Sequence, residues 1–425
     1  MRICVHKAGD GGVAWWRIVQ PYTWIKENTD AEVFIYDPMV HSPARLRDEQ
    51  EAADILVYQM GFGEFIRNIV VANKERANPK KIVLEYDDNI FSVHPMNVAY
   101  KNFASEEMNM TFTDDKTAEY FTNFLRETKS EKKIVQNADG SWTVEMWKDG
   151  VDGFDTKANK IRAAATAEAM SMCDMLTVTN PELGKQFRQV RPTGTIAVIP
   201  NCIDLERWLP MKENDSENIR IGWSGGSAHF QDIHLIRKAL WRIFDKYPAV
   251  KLVMQGVGFT SLFQPCKDNN YKDYTDRVEW RAWHTDNRTY PLDVRNLKCD
   301  IGICPVIDDS FNRGKSELKW IEFSAMKVPT VLSPVCYKSA VHGKTGLFAN
   351  SEDEWFDCLD RLIQSDVLRK KISDAAHEKI VVDHTLTQYK CLYNALNALN
   401  DSKVGTGIIK PYKLNKIYKK ELVTA

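Results

Sequence analysis

Short apolar runs alternate with polar, helix-forming stretches along most of the chain. The pattern predicts strands at 2–6, 32–36, 55–58 and 81–86, the last ending at Asp87-Asp88. Helical stretches separate them, the first opening at about Ala14 after a glycine-rich turn of Gly9, Gly11 and Gly12. Strand, turn, helix and strand in this rhythm mean a parallel sheet with helices on both faces. Residues 97–157 break the rhythm with a polar segment in which 142–147 reads as a strand or hairpin. That segment is an insertion into the first domain, either a lid or acceptor-binding element or a surface embellishment. The rhythm resumes with a helix at 157–172, strands at 175–179 and 195–199, and a helix from Pro181. After a polar linker at 212–218, a second unit places strands at 219–223, 251–254, 277–281, 300–304 and 330–333. Helices from about Glu352 to Asn400 end the folded part.

The fold class is therefore α/β, with two parallel-sheet domains facing across a cleft. The first spans 1–205, carries the insertion at 97–157 and is completed by a terminal helix within 384–425. The second spans 206–383. Ligands of such open sheets bind beyond the carboxyl ends of the strands.

Composition narrows the picture. Across 425 residues, 44% hydrophobic and 27% charged residues describe a soluble globular protein. A formal net charge of −1 gives no overall attraction to polyanions, so any such binding needs a local patch. The nine cysteines show no pairing pattern and read as reduced core residues of a cytoplasmic protein. No CxxC or His-rich spacing suggests a metal, and no apolar run reaches ~18 residues, so no membrane span is expected.

The densest candidate chemistry lies in 311–333, read as a glycine turn, a helix and a buried strand. Arg313, Gly314, Lys315 and Ser316 are placed where the helix opens. Its free N–H groups, those of Glu317 and Leu318 included, suit a diphosphate. Glu322 follows one or two turns in, where a carboxylate can grip the two hydroxyls of a ribose. The turn Ser224-Gly225-Gly226-Ser227 opens the second domain's first helix and offers a second oxyanion contact, or is small for steric reasons alone. Gly11 and Gly12 face the same cleft, or form a simple tight turn. Asp87, Asp88 and His94 follow a carboxyl strand end, where either aspartate can act as a base or position an acceptor hydroxyl. Asp308-Asp309 reads as a solvated loop. The 280–284 segment, with Trp280, Ala282, Trp283 and His284, can hold a nucleobase through backbone groups and stacking, or pack as core. Lysines 410, 413, 416, 419 and 420 form a basic tail, either solvated or set against a nucleic-acid backbone.

These motifs resemble the retaining glycosyltransferases with two Rossmann-like domains, the GT-B fold, in the branch of sucrose, glycogen and mannosyl transferases. Val-Ile-Pro-Asn-Cys-Ile-Asp at 198–204 resembles the family's domain junction, where Gly usually replaces Cys202. Glu-Phe-Ser-Ala-Met-Lys-Val-Pro-Thr-Val from Glu322 resembles the helix and strand whose glutamate binds the donor ribose. The segments 300–306 and 343–348 resemble the strand before the donor loop and the Gly-x-x-Gly-x-Leu motif. Two departures stand out. The family's first glutamate falls at Gly314, and the usual Arg and Lys after the second domain's first strand are absent. Arg313 and Lys315 are expected to neutralise phosphate instead. Trp15-Trp16-Arg17 resembles a helix found in members with this basic variant, some of them similar to phage-encoded transferases that decorate DNA bases.

The resemblance implies transfer of a sugar, with retention, from a nucleotide-diphosphate sugar to an acceptor hydroxyl. It implies no tightly bound cofactor and no metal requirement. Catalytic candidates are Asp88, His94, Arg313 and Lys315. Donor-binding candidates are Gly11, Gly12, Ser224–Ser227, Ala282, Ser316, Glu317, Leu318 and Glu322. The acceptor is a glycan, a lipid-linked saccharide or a hydroxylated base in DNA, the last in a host cytoplasm. A sugar-nucleotide epimerase and a nucleotide-binding module without catalysis remain the rival readings.

Overall fold

The computed structural model describes residues 1–112, 118, 134–214, 218–282 and 286–401. The first lobe begins with β1 (Arg2–His6), β2 (Glu32–Tyr36), β3 (Ile55–Gln59) and β4 (Lys81–Tyr86). An excursion follows, holding β5 (Met108–Phe112), β6 (Ile134–Gln136) and β7 (Trp142–Trp147), before the lobe closes with β8 (Met175–Val178) and β9 (Thr195–Val198). Six strands form one parallel sheet in the order β2-β1-β3-β4-β8-β9. β3 and β4 are buried along their whole length because helices cover both faces, which is why they read as unbroken apolar runs.

The second lobe contains β10 (Arg220–Gly225), β11 (Lys251–Gly256), β12 (Val278–Arg281), β13 (Ile301–Cys304), β14 (Thr330–Leu332) and β15 (Leu347–Phe348). They form a second six-stranded parallel sheet in the order β12-β11-β10-β13-β14-β15. β15 was outside the sequence expectation; two residues are too few to set a periodicity. In each sheet the strand order reverses beside the first strand, between β1 and β3 and between β10 and β13. The loops leaving those strands diverge and open a crevice at their carboxyl ends.

The excursion is a three-stranded antiparallel sheet, β5-β7-β6, with the expected 142–147 strand at its centre. Tyr100, Trp147 and Phe154 stack beneath it with ring centroids 5.6–6.0 Å apart. Their apolar cluster is continuous with Phe230 and Phe259 of the second lobe, so the excursion is built into the joint between lobes.

Two crossings connect the lobes, and they pair with each other. The Ile203 amide donates to the His384 carbonyl at 2.6 Å, and Ile203 bridges Thr385. The returning helix Lys390–Asp401 buries Leu392, Leu396 and Leu399 against Ile3, Val5, Ile18 and Tyr22 of the first lobe. Their spacing keeps these leucines on one helical face. The lysine-rich tail lies outside the described residues. Among the described residues no helix is long and apolar enough to cross a membrane.

Candidate active site

The second-lobe crevice starts at the end of β10. Ser224 and Gly225 finish the strand, Gly226 turns the chain, and one helical turn at Ser227–His229 leads into the helix Phe230–Lys246. The two glycines differ. A Cβ on Gly225 would lie 2.4 Å from the Trp223 ring, so that glycine is needed for packing. A Cβ on Gly226 would meet nothing within 4 Å, and its φ of −87° suits any residue. Neither packing nor backbone angle requires a glycine at Gly226.

Glu322 is buried on the helix Leu318–Ala325. Its Oε2 accepts from the Tyr290 hydroxyl at 3.1 Å, and that hydroxyl lies 3.0 Å from Ser224 Oγ. Burial pushes the carboxyl up to about 8, while Lys319 and Tyr290 pull it down. The helix starts later than the sequence suggested. Ser310–Arg313 is a separate turn capped by Asp309, Gly314 to Ser316 are irregular, and Glu317 precedes the first helical residue, Leu318. The physical reason lies in the other lobe. Asn180 Nδ2 donates to the carbonyls of Gly314 (2.7 Å) and Lys315 (3.0 Å), holding them out of a helical ladder. Asn180 also caps its own helix, Pro181–Phe187, through Oδ1.

Several predicted residues have other partners. Arg313 is exposed, with Nε 2.6 Å from Asp308 Oδ1, so it faces its own loop rather than joining Lys315. Asp308 is exposed, whereas Asp309 is half-buried as a cap, and burial pushes its carboxyl up to about 6. The Glu317 carboxylate accepts from the Ser339 amide and hydroxyl, both at 2.7 Å, leaving only its backbone for an anion. Ala282 is exposed, and its carbonyl accepts from Gln255 Nε2 at 2.8 Å. Trp280 is half exposed, while Trp283 and His284 lie outside the described residues.

From the first lobe, His94 reaches the crevice. A narrow space between the lobes is lined by His94, Met96 and Asn97 on one side and Gln231, Asp232 and Lys315 on the other. His94 Nδ1 accepts from the Met96 amide at 3.2 Å, which leaves the proton on Nε2. Burial lowers the imidazole to about 4, so it is neutral at pH 7. Burial raises the half-buried Asp88 carboxyl, and Lys315 and Lys319 hold it down from across the crevice. Asp87 is raised well above the ordinary range by burial and then by Asp88 and Glu85. Gly11 and Gly12 are exposed, and a Cβ at either would meet nothing within 4 Å.

Sequence reasoning passed over His229, Asp232, Lys319, Tyr290 and Asn180. His229 Nδ1 lies 2.6 Å from Asp232 Oδ2, and His229 Nε2 lies 3.0 Å from Lys319 Nζ. Asp232 Oδ1 accepts the Ile307 amide at 3.0 Å, across the switch point from β10 to β13. The three-residue steps from His229 to Asp232 and from Lys319 to Glu322 were a usable signal, since such pairs share a helix face. Together these groups line one wall with hydroxyl, carboxyl, ammonium and imidazole groups. Such a wall can bind ribose hydroxyls at one end and an anion beside them. No cluster of His, Cys, Asp and Glu with metal-holding geometry occurs among the described residues.

No protein-family model matches the chain, and no curated protein matches it by sequence. Solved structures do. A sucrose-phosphate synthase from Thermosynechococcus elongatus superposes with a TM-score of 0.56 at 13% identity, covering 94% of this chain and 99% of that one. Anabaena HepE, solved with UDP-glucose, gives 0.53 at 14% identity over 94% and 100%. A glycosyltransferase from Rickettsia africae gives 0.54 at 12% over 94% and 98%. The fold is GT-B. Both parallel sheets, the facing crevices and the paired crossings belong to that architecture, and the GT-B likeness extends over nearly the whole chain.

Proposed function

We propose that this chain is a glycosyltransferase that moves a sugar from a nucleoside-diphosphate sugar to an acceptor hydroxyl with retention of anomeric configuration. One observation carries the reading: a buried carboxyl, Glu322, sits at the second sheet's switch point with Ser224 and Tyr290, one turn from the Lys319 ammonium. In the proposed complex Glu322 holds the ribose. Gly226 and the Ser227 turn lie against the phosphates, and Lys315 faces the diphosphate from the loop that Asn180 fixes. Negative charge builds on that diphosphate as the glycosidic bond breaks. A cation already in place stabilises it without reorganisation. His94, neutral and carrying its proton on Nε2, and Asp88 face the sugar and acceptor from the first lobe. A closed crevice also keeps water from the donor. Retention rests on the resemblance of the Glu322 helix to the retaining branch.

The test is a panel of nucleoside-diphosphate sugars, led by UDP-glucose because a structure of this fold is known with it. Free diphosphate released together with labelled acceptor, or slow donor hydrolysis without acceptor, supports transfer, and the anomeric coupling of the product checks retention. An epimerised sugar nucleotide with no diphosphate release would overturn the reading. Lys315→Ala should lower turnover ~10²-fold or more, the usual effect of removing one charge-stabilising group. Near-normal turnover in that variant would remove Lys315 from the mechanism.

A further inference from the structure

The turn after β10 carries no cation, yet the crevice it opens into holds two. Lys315 lies on the loop before the Glu322 helix, its Nζ 5.0 Å from the Phe311 ring centre. Lys319 lies one turn before Glu322 and contacts a neutral group. The short contact from His229 Nδ1 to the Asp232 carboxylate requires the proton on Nδ1. His229 Nε2 is then a lone pair, and it accepts from the Lys319 ammonium at 3.0 Å. Burial first, then Lys319 and Lys315, lower the imidazole to about 3, so it brings no charge of its own. Neither ammonium has an ion-pair partner among the described residues. Charges removed from water are normally paired. Two adjacent cations, one oriented by an uncharged acceptor, form a receptor for an anion.

Resting on the glycosyl-transfer reading, we propose that Lys319 is the second diphosphate-binding cation and that His229 and Asp232 are positioning residues that aim it. The two cations lie on the 315–319 segment, and an imidazole–carboxylate prop stands at the turn after β10. The prop has a specific advantage over a direct carboxylate partner: it orients the ammonium without neutralising it. Asp232 fixes the tautomer, and the Ile307 amide fixes Asp232. Groups facing Lys319 are His229 and Asp232 from the helix after β10, Lys315 from its own loop, Glu322 one turn on, Cys304 at the end of β13 and Asp88 across the crevice. Burial and then Lys315 lower the Lys319 ammonium below its ordinary value. Diphosphate affinity should therefore fall as pH rises through that lowered value.

The experiment is calorimetric titration of the full chain with UDP, and with uridine as the ligand that lacks phosphate, across neutral to alkaline pH. Lys319→Ala should lose UDP affinity at least tenfold and keep uridine affinity. Lys319→Arg should restore much of the UDP binding and move the alkaline fall to higher pH, because a guanidinium stays charged. His229→Ala should weaken UDP binding by less than Lys319→Ala while moving the alkaline fall. Unchanged UDP binding in Lys319→Ala, or equal loss of UDP and uridine, would overturn the assignment and leave the glycosyl-transfer reading standing. A native chain that binds neither UDP nor ADP nor GDP would overturn that reading, and this inference with it.

Discussion

Arg17 and Lys319 stand behind the two bare glycine turns, one in each lobe, and they are held in opposite ways. Arg17 is buried, with Nε 2.6 Å from Glu85 Oε1 and Nη1 bonded to the Ile199 carbonyl (2.6 Å) and Asn201 Oδ1 (2.9 Å). Its charge is neutralised inside the protein, and its partners tie the Trp15–Val19 π-helical turn to the first crossing between lobes. Lys319 touches an uncharged imidazole. The same topology thus supports two uses of a cation. One is fully paired and braces the joint; the other is aimed and left available. Counting which charges are matched within the chain separates scaffold from site where burial alone would not.

The largest expected effect follows from that contrast. Arg17→Met leaves the Glu85 carboxylate buried and unpaired, and breaking a buried pair this way destabilises by about 3–5 kcal/mol. Lys319→Met removes a charge held by no ion pair among the described residues, only by the longer-range attraction of Glu322 and Asp232, so its loss of stability should be much smaller. Urea denaturation of both variants reads the difference. Equal losses would mean that Lys319 is as structural as Arg17, and the contrast between the lobes would fail.

This contrast was only partly legible in the sequence. The strands were, because parallel strands covered on both faces are continuous apolar runs, and nearly every predicted boundary falls within a few residues of its strand. Glu322 was, because its apolar neighbours Trp320, Ile321 and Phe323 implied a closed setting, and all are buried. The helix start was not. Gly314 was placed at the helix opening, but Asn180, 134 residues away, holds its carbonyl. Of the basic pair, Lys315 lines the space between the lobes, while Arg313 bonds Asp308. Tyr290 carried no local signal, since it reaches Glu322 from the first turn of a short helix, Tyr290–Arg295, between β12 and β13. Side-chain ties across loops and lobes are tertiary facts that no periodicity encodes.

Next in size is the ribose contact. A hydrogen bond contributes about 0.5–1.5 kcal/mol net, so losing contacts to both ribose hydroxyls in Glu322→Ala should weaken UDP binding roughly tenfold. The sharper readout uses 2′,3′-dideoxy-UDP. The native chain should bind it much more weakly than UDP, and Glu322→Ala should treat the two alike. A variant that still prefers UDP would place the ribose elsewhere. The buried carboxyl of the first lobe, Glu85, offers no such role, since Arg17 already occupies it.

The smallest effect distinguishes two neighbours in one turn. Gly225→Ala drives a methyl to 2.4 Å from the Trp223 ring, and that indole is fully buried beneath Phe259 and His229. The ring has little room to shift, so overpacking of about 1–3 kcal/mol is expected. Gly226→Ala places its methyl in open space at an unstrained backbone angle, and the same denaturation experiment should find it unchanged. What Gly226→Ala should lose is ligand: a methyl projecting into the crevice keeps the diphosphate from the backbone amides beyond it. Stability and affinity therefore part company at adjacent residues, Gly225 moving the first and Gly226 the second. A Gly226→Ala variant that binds UDP normally would mean that the bare turn after β10 does not touch the donor. The anion would then lie wholly on the 315–322 side of the crevice.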